Sequence, residues 1–430
     1  MQGESTSARG HTEETLFPQG PTPGAPLRPR LLAVRPFLWL VLAVGVVNLA
    51  LWALLGAMWA DAAFTFHANQ AQMSILLASF SLPLVLTVPF QGILVDRWSP
   101  KWMFCLGMLL GIAAVPVAWF GDSLHWLYAS SFLLGAGVGT MSPARSSLTG
   151  LLVDEEHLVQ ANGMLSGAMM LALVIGPFTG GILLRTSGTS VLYPAVMVVA
   201  GVAFSLSLLV PDRRQGGERP SLTLRELADG IVVSWRRSEL RLLMWLSIVA
   251  WLMVNVYWIL EPLFVKDSLH LGRDAVQFIW AAQGLGAVVG SFLLYRLETG
   301  TGRELLLVGV GLAGTGAGLM LFALIPTYPV ALAGMIVHGL GFSLYFASSL
   351  ALIQRLAGEE MRGRVTSFFT VIQEGSAIVV ALIVVALGDL VVVRPSIAVS
   401  AAILVAAGAI GLLRLSGRLR GPVLEGSVSR

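Results

Sequence analysis

Apolar residues occur in long runs along this chain, and short polar stretches separate the runs. A helix needs about 20 apolar residues to cross the roughly 30 Å hydrocarbon core of a bilayer, and most of the runs reach that length. Each run is therefore predicted to be a membrane-spanning helix. The twelve predicted spans cover residues 37–60, 72–95, 102–120, 124–143, 161–184, 190–210, 242–264, 275–295, 304–325, 329–353, 365–387 and 396–414.

The twelve runs divide into two groups of six. One group occupies residues 36–210 and the other occupies residues 241–415, and the two stretches are equal in length. Equal halves predict an all-α membrane protein with twelve transmembrane helices in two pseudo-symmetric six-helix bundles. In such proteins a substrate site lies between two bundles that rock against each other.

Three polar segments flank the bundles. Residues 1–35 are rich in Pro, Gly, Ser and Thr and are predicted to be a disordered cytoplasmic tail, and residues 416–430 are predicted to be a second cytoplasmic tail. In the linker, residues 211–240, Thr223 and Glu226 form a capping box that predicts the start of an amphipathic helix at the membrane surface. A tether between the bundles and a regulatory element are both open interpretations of this helix.

The composition supports a membrane protein and excludes several other classes. The chain is 56% hydrophobic and only 12% charged, against roughly 25% charged residues in soluble domains. A net charge of +3 is too small to indicate a nucleic-acid partner. Neither of the two lysines follows a glycine as a phosphate-binding loop requires, and the single cysteine, Cys105, cannot form an internal disulfide. We expect no cofactor, no metal and no catalytic centre, and we expect the chain to function as a monomer.

The basic residues predict the orientation in the bilayer, because positively charged loops stay in the cytoplasm. Placing both termini inside puts 23 of the 27 basic residues on that side. The four that fall outside are Arg185, Lys266, Arg273 and Arg394. The asymmetry predicts a multi-pass protein of the cell membrane, the inner membrane where there are two, with both termini cytoplasmic.

A charged motif stands between the second and third spans. The segment GILVDRWSPK places Gly92, Asp96, Arg97 and Lys101 at the spacing GxxxDRxxxK. This resembles the signature loop of the major facilitator superfamily. The resemblance implies that Gly92 permits close helix contact and that the charged residues stabilise one conformation of the transporter. A plain positive loop is the alternative, but it does not explain the spacing of the glycine and the aspartate.

The fifth span contains ALVIGPFTGG, which resembles the superfamily's GxxxGPxxGG element, associated with export by antiport. Ala172 replaces the first glycine of that element. Ala172, Gly176 and Gly180 recur every four residues, so one helix face is nearly bare. Gly181 is the last glycine of the element. Pro177 removes a helix hydrogen bond and permits a bend. Helix packing without any role in coupling is an equally open interpretation.

Further segments resemble the branch of the superfamily that contains macrolide and siderophore exporters. These are SPARSSLTGLLVDEEHLVQANGMLSG, EPLFVKDSL and EEMRGRVTSF, which with the first motif spread the resemblance over residues 36–415. One departure concerns proton coupling. Many drug antiporters carry an Arg four residues before a Gly in the fourth span, whereas this chain has Ser131 before Gly135.

Three acids in or near predicted spans are candidates for proton coupling. An ionisable side chain in hydrocarbon costs at least about 2.5 kcal/mol, so it usually faces a cavity or a partner. Glu374 lies about 15 Å into its span, near the midplane, which makes it the first candidate for proton coupling. Glu261 and Asp61 lie at the outer ends of their spans, closer to water, and are the other candidates, although either could be a loop residue. A hydrogen-bonded Glu374 that only joins helices is the alternative.

Polar and aromatic residues within the spans are candidate substrate contacts. Midspan amides suit hydrogen bonding to a substrate, and aromatic rings suit bulky, partly apolar molecules. Lipid-facing aromatics and structural polar groups are the alternative. The candidates for the substrate cavity are Asn48, Trp52, Trp251, Asn255, Tyr257, Gln283, His338 and Gln373.

The sequence supports three hypotheses about function. The first is a secondary active transporter that exports small amphipathic molecules by alternating access, coupled to proton antiport. The second is a facilitator or importer of a nutrient or lipid-like solute on the same fold. The third is a membrane sensor or scaffold that transports nothing. The substrate is expected to be a small molecule, but side chains from many spans shape its site, so the sequence does not identify it.

Overall fold

The computed structural model describes residues 35–87, 99–212, 224–297, 301–358 and 361–419. These residues are helical apart from short connections. The helices are α1 (Arg35–Phe64), α2 (Gln70–Thr87), α3 (Pro100–Phe120), α4 (Leu124–Leu152), α5 (Leu158–Ser187), α6 (Thr189–Leu208), α7 (Leu224–Arg236), α8 (Ser238–Asp267), α9 (Asp274–Arg296), α10 (Thr301–Leu324), α11 (Tyr328–Ala357), α12 (Arg362–Leu387) and α13 (Val393–Leu419).

Eleven of the described helices are long and apolar enough to cross a membrane. The short helix α7 is not among them, and neither is α4, although α4 is 29 residues long. The apolar run of α4 contains several Gly, Ser and Thr residues, which lower its hydropathy. Because α4 packs against α2 and α3, it completes a set of twelve long helices. The prediction of an all-α membrane protein is confirmed.

Helix packing repeats between the two halves. In the first half α1 packs against α5 and α6, α4 packs against α2 and α3, and α3 packs against α6. In the second half α8 packs against α12 and α13, α11 packs against α9 and α10, and α10 packs against α13. Adding seven to each helix number of the first half gives the pairs of the second. The halves are therefore pseudo-symmetric six-helix bundles, as predicted.

Two helix pairs join the bundles. Helix α2 packs against α12, and α5 packs against α9. The same pseudo-symmetry relates these two pairs, because α2 corresponds to α9 and α5 corresponds to α12. A space remains between the bundles along the central axis, and it holds the main cavity described below. We call the side on which α1 begins and α13 ends the termini side, and the opposite side the distal side.

The linker helix α7 packs against the start of α12. Arg364 forms an ion pair of 3.4 Å with Asp229, and Gly230 lies so close to the Arg364 carbonyl group that a β-carbon would be 2.5 Å from its oxygen. The helix begins one residue after Thr223, where the capping box predicts it to begin. The side chains of the box itself lie outside the described residues, as does most of both predicted tails.

Most of the GxxxDRxxxK motif also lies outside the described residues, which include only Lys101 from it. The Lys101 ammonium group donates a hydrogen bond of 2.8 Å to the carbonyl oxygen of Leu208. Leu208 is the last residue of α6. A cation at a helix C-terminus interacts favourably with the helix dipole and with the unpaired carbonyl groups there. The link fixes the start of α3 against the end of α6.

Candidate functional site

A cavity of about 330 Å³ lies between the two bundles. Helices α1, α2 and α5 line it on one side, and α8, α9, α11 and α12 line it on the other. Most of the lining is apolar. The large apolar side chains in it are Trp52, Leu55, Trp59, Leu77, Phe80, Met170, Leu173, Trp251, Trp258, Trp280, Phe342 and Phe346.

Aromatic rings from both bundles meet in this cavity. The ring of Trp52 on α1 lies 6.1 Å from that of Trp258 on α8 and 6.3 Å from that of Trp280 on α9, measured between centroids. Trp258 and Trp280 are 5.1 Å apart. Indole rings offer large flat apolar surfaces with limited side-chain freedom, which suits an apolar ligand of variable shape. The cavity can therefore take a bulky apolar group between the bundles.

One corner of the cavity is polar. Gln373 donates a hydrogen bond of 3.0 Å to the Glu374 carboxyl group, and Ser81 on α2 lines the cavity at the same corner. Asn255 donates a hydrogen bond of 2.9 Å to the Ser376 hydroxyl, which in turn donates one of 2.8 Å to the carbonyl oxygen of Gln373. These groups connect α8 and α12, and Ser81 belongs to the other bundle. The corner offers hydrogen-bond partners in an otherwise apolar space.

The cavity accounts for six of the residues that the sequence singles out. Trp52, Trp251, Asn255, Gln283 and Gln373 line it, and so does the acid Glu374. Sequence reasoning missed the aromatic residues Trp258, Trp280, Phe342 and Phe346. A helical spacing could have found Trp258, because it lies three residues after Asn255 and seven after Trp251 on one face of α8.

Three other candidates lie outside the lining of the cavity. Asn48 lines a separate pocket within the first bundle, and its amide donates to the Val44 carbonyl. Tyr257 is buried against the ring of His338, with centroids 5.4 Å apart. His338 is also buried, with its Nδ1 atom 3.2 Å from the Thr315 carbonyl oxygen. Tyr257 lies two residues after Asn255, a rotation of about 200° around the helix, so it faces the bundle interior.

The other two acids lie toward the distal side. Asp61 is buried and accepts a hydrogen bond of 2.6 Å from the Tyr193 hydroxyl and one of 3.2 Å from Thr65. The guanidinium group of Arg273, from the other bundle, lies 3.6 Å from Asp61. Glu261 is buried and accepts a hydrogen bond of 3.2 Å from the indole of Trp280. Neither Asp61 nor Glu261 lines the cavity.

Contacts between the bundles lie on the distal side. Lys266 on α8 donates to the Ala63 carbonyl oxygen at 2.8 Å, and its ammonium lies 3.0 Å from the His67 ring. Gln70 on α2 donates to the Val391 carbonyl at 3.2 Å. With the Asp61–Arg273 ion pair, these contacts tie the distal ends of α1 and α2 to the second bundle. The two bundles are therefore joined to each other on the distal side of the cavity.

Glycines of α5 permit two of the close helix contacts. A β-carbon on Gly176 would lie 2.8 Å from the Leu49 carbonyl oxygen of α1, and one on Gly180 would lie 2.8 Å from the Gln277 amide of α9. Gln277 is fully buried and donates a hydrogen bond of 2.8 Å to the Ala53 carbonyl of α1. The small residues of ALVIGPFTGG thus serve packing within the first bundle at Gly176 and contact between the bundles at Gly180.

The fold and the cavity define the class of protein. Two pseudo-symmetric bundles around a central cavity form a secondary membrane transporter. The profile of the Major Facilitator Superfamily matches residues 40–381 and 243–426. The chain therefore belongs to the Major Facilitator Superfamily.

Similar sequences carry a more specific description. The chain is 26% identical over 292 residues to the lysophospholipid transporter LplT of Yersinia enterocolitica, covering 65% of this chain and 69% of that protein. It is 25% identical over 287 residues to the lysophospholipid transporter of Yersinia pestis, with the same coverage. These relatives are lipid transporters, whereas the sequence motifs resemble the drug, macrolide and siderophore efflux branch.

Solved structures agree on the fold. A POT family transporter in complex with 5-aminolevulinic acid matches with a TM-score of 0.72 and 12% identity, covering 90% of this chain and 97% of that one. The nucleoside transporter NupG matches with a TM-score of 0.67 and 12% identity, covering 89% and 98%. At this level of identity the likeness establishes the transporter fold alone.

Proposed function

We propose that this transporter moves single-chain, lipid-like amphiphiles across the bilayer by alternating access of the central cavity. The observation that carries the proposal is the apolar, aromatic lining formed by Trp52, Trp258 and Trp280, with a polar corner at Glu374. Such a lining suits an acyl chain, and the corner suits the hydroxyl groups of the same molecule. The similarity to lysophospholipid transporters supports this substrate class.

Proton-linked export is the second candidate function. It is favoured by the position of Glu374, an acid that lines the cavity at the same corner as Ser81 of the other bundle. A group that binds a proton there changes the charge of the cavity and thus its preference for one conformation. Asp61 and Glu261 remain candidates of the same kind, because both acids are buried near the distal closure.

The proposal also includes the membrane, the orientation and the oligomeric state of the protein. We place it in the cell membrane with both termini cytoplasmic, on the asymmetry of its basic residues, and we propose that it acts as a monomer. The contacts that join the bundles would then lie toward the outside in the conformation described. The predicted domain boundaries, at residues 36–210 and 241–415, make each bundle one rocking body.

The test is flux of a fluorescent lysophospholipid in vesicles reconstituted with the purified chain. We expect the labelled lipid to cross faster than in protein-free vesicles, and we expect a two-chain phospholipid with the same label not to do so. Equal rates with and without protein for the single-chain lipid contradict the proposal. An imposed pH gradient then separates the two candidates, because only proton-linked export is driven by it.

A further inference from the structure

A second pocket of about 120 Å³ lies within the first bundle, between α1, α3, α4 and α5. Asn48 lies well inside α1, whereas Arg145 lies seven residues before the end of α4 on the termini side. The remaining lining is formed by Val44, Val47, Leu51, Phe104, Val138, Met141, Ser142 and Met169. The pocket is therefore an apolar space that contains one permanent positive charge.

Arg145 lacks a carboxylate partner among the described residues. Its Nη1 atom donates a hydrogen bond of 2.8 Å to the sulfur of Met169, and the side chain is half-buried. A thioether is a weak acceptor, and a guanidinium group has five donors to satisfy. The arginines that the structure places in ion pairs, such as Arg273 and Arg364, have an aspartate within 4 Å. Arg145 thus holds a partly desolvated charge that an anion would stabilise.

The pocket adjoins the central cavity along α1 and α5. On α1, Val44, Val47, Asn48 and Leu51 line the pocket, whereas Trp52 and Trp59 line the cavity. On α5, Met169 faces the pocket and its neighbour Met170 faces the cavity. The stretch of α1 from Val44 to Trp59 rises about 22 Å. An elongated molecule that follows α1 can therefore have one end in each space, with its polar end toward the termini side.

We infer that Arg145 binds the phosphate group of an amphiphile whose acyl chain occupies the central cavity. The inference rests on the proposed function and adds the charge of the substrate to it. The guanidinium fork matches two phosphate oxygens, and partial burial strengthens such charge-assisted hydrogen bonds. Asn48 lines the same pocket and its side-chain oxygen is an acceptor for hydroxyl groups of the headgroup.

The experiment compares three ligands by calorimetry with the full chain in detergent. They are a lysophospholipid kept below its micelle concentration, a monoacylglycerol with the same acyl chain, and inorganic phosphate. We expect the lysophospholipid to bind the unmodified protein at least about tenfold more tightly than the monoacylglycerol, since a charge-assisted contact of this kind is worth that factor or more. We expect inorganic phosphate alone to bind far more weakly, because it lacks the acyl chain.

Two variants of Arg145 and one control test the residue. Arg145→Gln should remove the preference for the phosphate-containing lipid and leave the affinity for the monoacylglycerol. Arg145→Lys keeps the charge but not the fork, so part of the preference should return. The control is Arg296→Gln, which removes the same charge from an exposed arginine at the end of α9 and should change neither affinity. A single symmetrical peak in size-exclusion chromatography confirms that each variant is folded.

The outcomes separate the inference from the proposed function. If the unmodified protein binds both lipids equally, or if Arg145→Gln keeps the preference, Arg145 is not the phosphate site although lipid binding stands. If inorganic phosphate binds as tightly as the lysophospholipid, the pocket takes a free anion and the headgroup assignment is wrong. If neither lipid binds, both the proposed function and the inference fail.

Discussion

Lys266 of the second bundle donates a hydrogen bond of 2.8 Å to the backbone carbonyl of Ala63 in the first. The lysine approaches the last turn of α1, whose unpaired carbonyl groups attract a cation. Asp61 is close to Ala63 in the sequence, and Arg273 is close to Lys266. The ion pair between Asp61 and Arg273 also joins the bundles. These contacts form a distal latch, defined by Asp61, Ala63, Lys266 and Arg273.

The distal latch should set the balance between the closed and open distal side. Replacing Lys266 by Met removes a charged hydrogen bond worth about 1.5 kcal/mol or more, so the open population should rise about tenfold. Spin labels at Thr186→Cys and Val392→Cys, in a Cys105→Ser background, report the distance across the distal side. We expect a larger fraction of long distances in Lys266→Met.

The control for the distal latch is the neighbouring exposed residue Asp267. Asp267→Asn alters the charge at the same end of α8 and should leave the distance distribution unchanged. An identical distribution in Lys266→Met and in the unmodified protein means that Lys266 does not hold the bundles together.

Gly176 should tolerate no side chain, because α5 and α1 are in close backbone contact there. A β-carbon would lie 2.8 Å from the Leu49 carbonyl oxygen, and a backbone atom yields less readily than a flexible side chain. Overpacking of this kind costs about 1–3 kcal/mol. Gly176→Ala should therefore lower the melting temperature of the purified protein, as measured by the fluorescence of its tryptophans.

Gly167 provides the matched comparison for Gly176 on the same helix. No neighbouring atom lies within 4 Å of the position of its β-carbon. Alanine is favoured over glycine inside a helix by up to about 1 kcal/mol, so Gly167→Ala should keep or raise the melting temperature. Equal melting temperatures for the two variants would show that close contact between α1 and α5 is not required.

The ion pair between Glu304 and Arg355 should stabilise the second bundle. Its atoms are 3.0 Å apart, and the Glu304 side chain is only 3% exposed. Removing one partner of a buried pair leaves an uncompensated charge, at a cost of about 3–5 kcal/mol when burial is complete. Because Arg355 is half-exposed, we expect a smaller loss for Arg355→Leu, measured as a lower melting temperature.

A double variant tests whether the two residues act as a pair. Glu304→Leu in the Arg355→Leu background removes the unpaired carboxylate and should recover part of the lost stability. Losses that simply add up in the double variant would show that Glu304 and Arg355 stabilise the fold independently.

Glu374 should carry any coupling to protons. Glu374→Gln keeps the size of the side chain and its hydrogen bonds but cannot change charge. We expect downhill flux of the amphiphile to continue in this variant, while its response to a pH gradient is lost. Glu374→Asp retains an acid and should keep part of that response. A full response to the gradient in Glu374→Gln removes this residue from the coupling mechanism.

The sequence predicts the spans well because the bilayer imposes their length and composition. The predicted run at 37–60 lies within α1 (Arg35–Phe64), and the run at 365–387 nearly equals α12 (Arg362–Leu387). Among the span ends that the structure describes, the largest error is in the fourth span, predicted at 124–143, since α4 continues to Leu152. Its last turns contain Ser, Thr and Arg145, so hydropathy detects only the first part of the helix.

The cavity is less predictable, because depth in the membrane does not fix the face on which a residue lies. Asn255 and Tyr257 are at similar depth, yet only Asn255 faces the cavity. The i, i+3, i+7 spacing of Trp52, Leu55 and Trp59 would have indicated a single lining face on α1. The second pocket has no such signature, since Arg145 and Met169 meet only through the packing of α4 and α5.

The central claim is that an amphiphile passes through the aromatic cavity between the bundles. Flux of fluorescent lysophospholipid into reconstituted vesicles tests it directly. The variant Trp52→Ala is compared with the control variant Trp245→Ala. Trp52 lines the cavity, whereas Trp245 is 54% exposed on α8 and contacts Trp235 of the linker helix. The account predicts flux in the unmodified protein, a clear loss in Trp52→Ala and none in Trp245→Ala. Unchanged flux in Trp52→Ala, or no flux above that of protein-free vesicles, would contradict it.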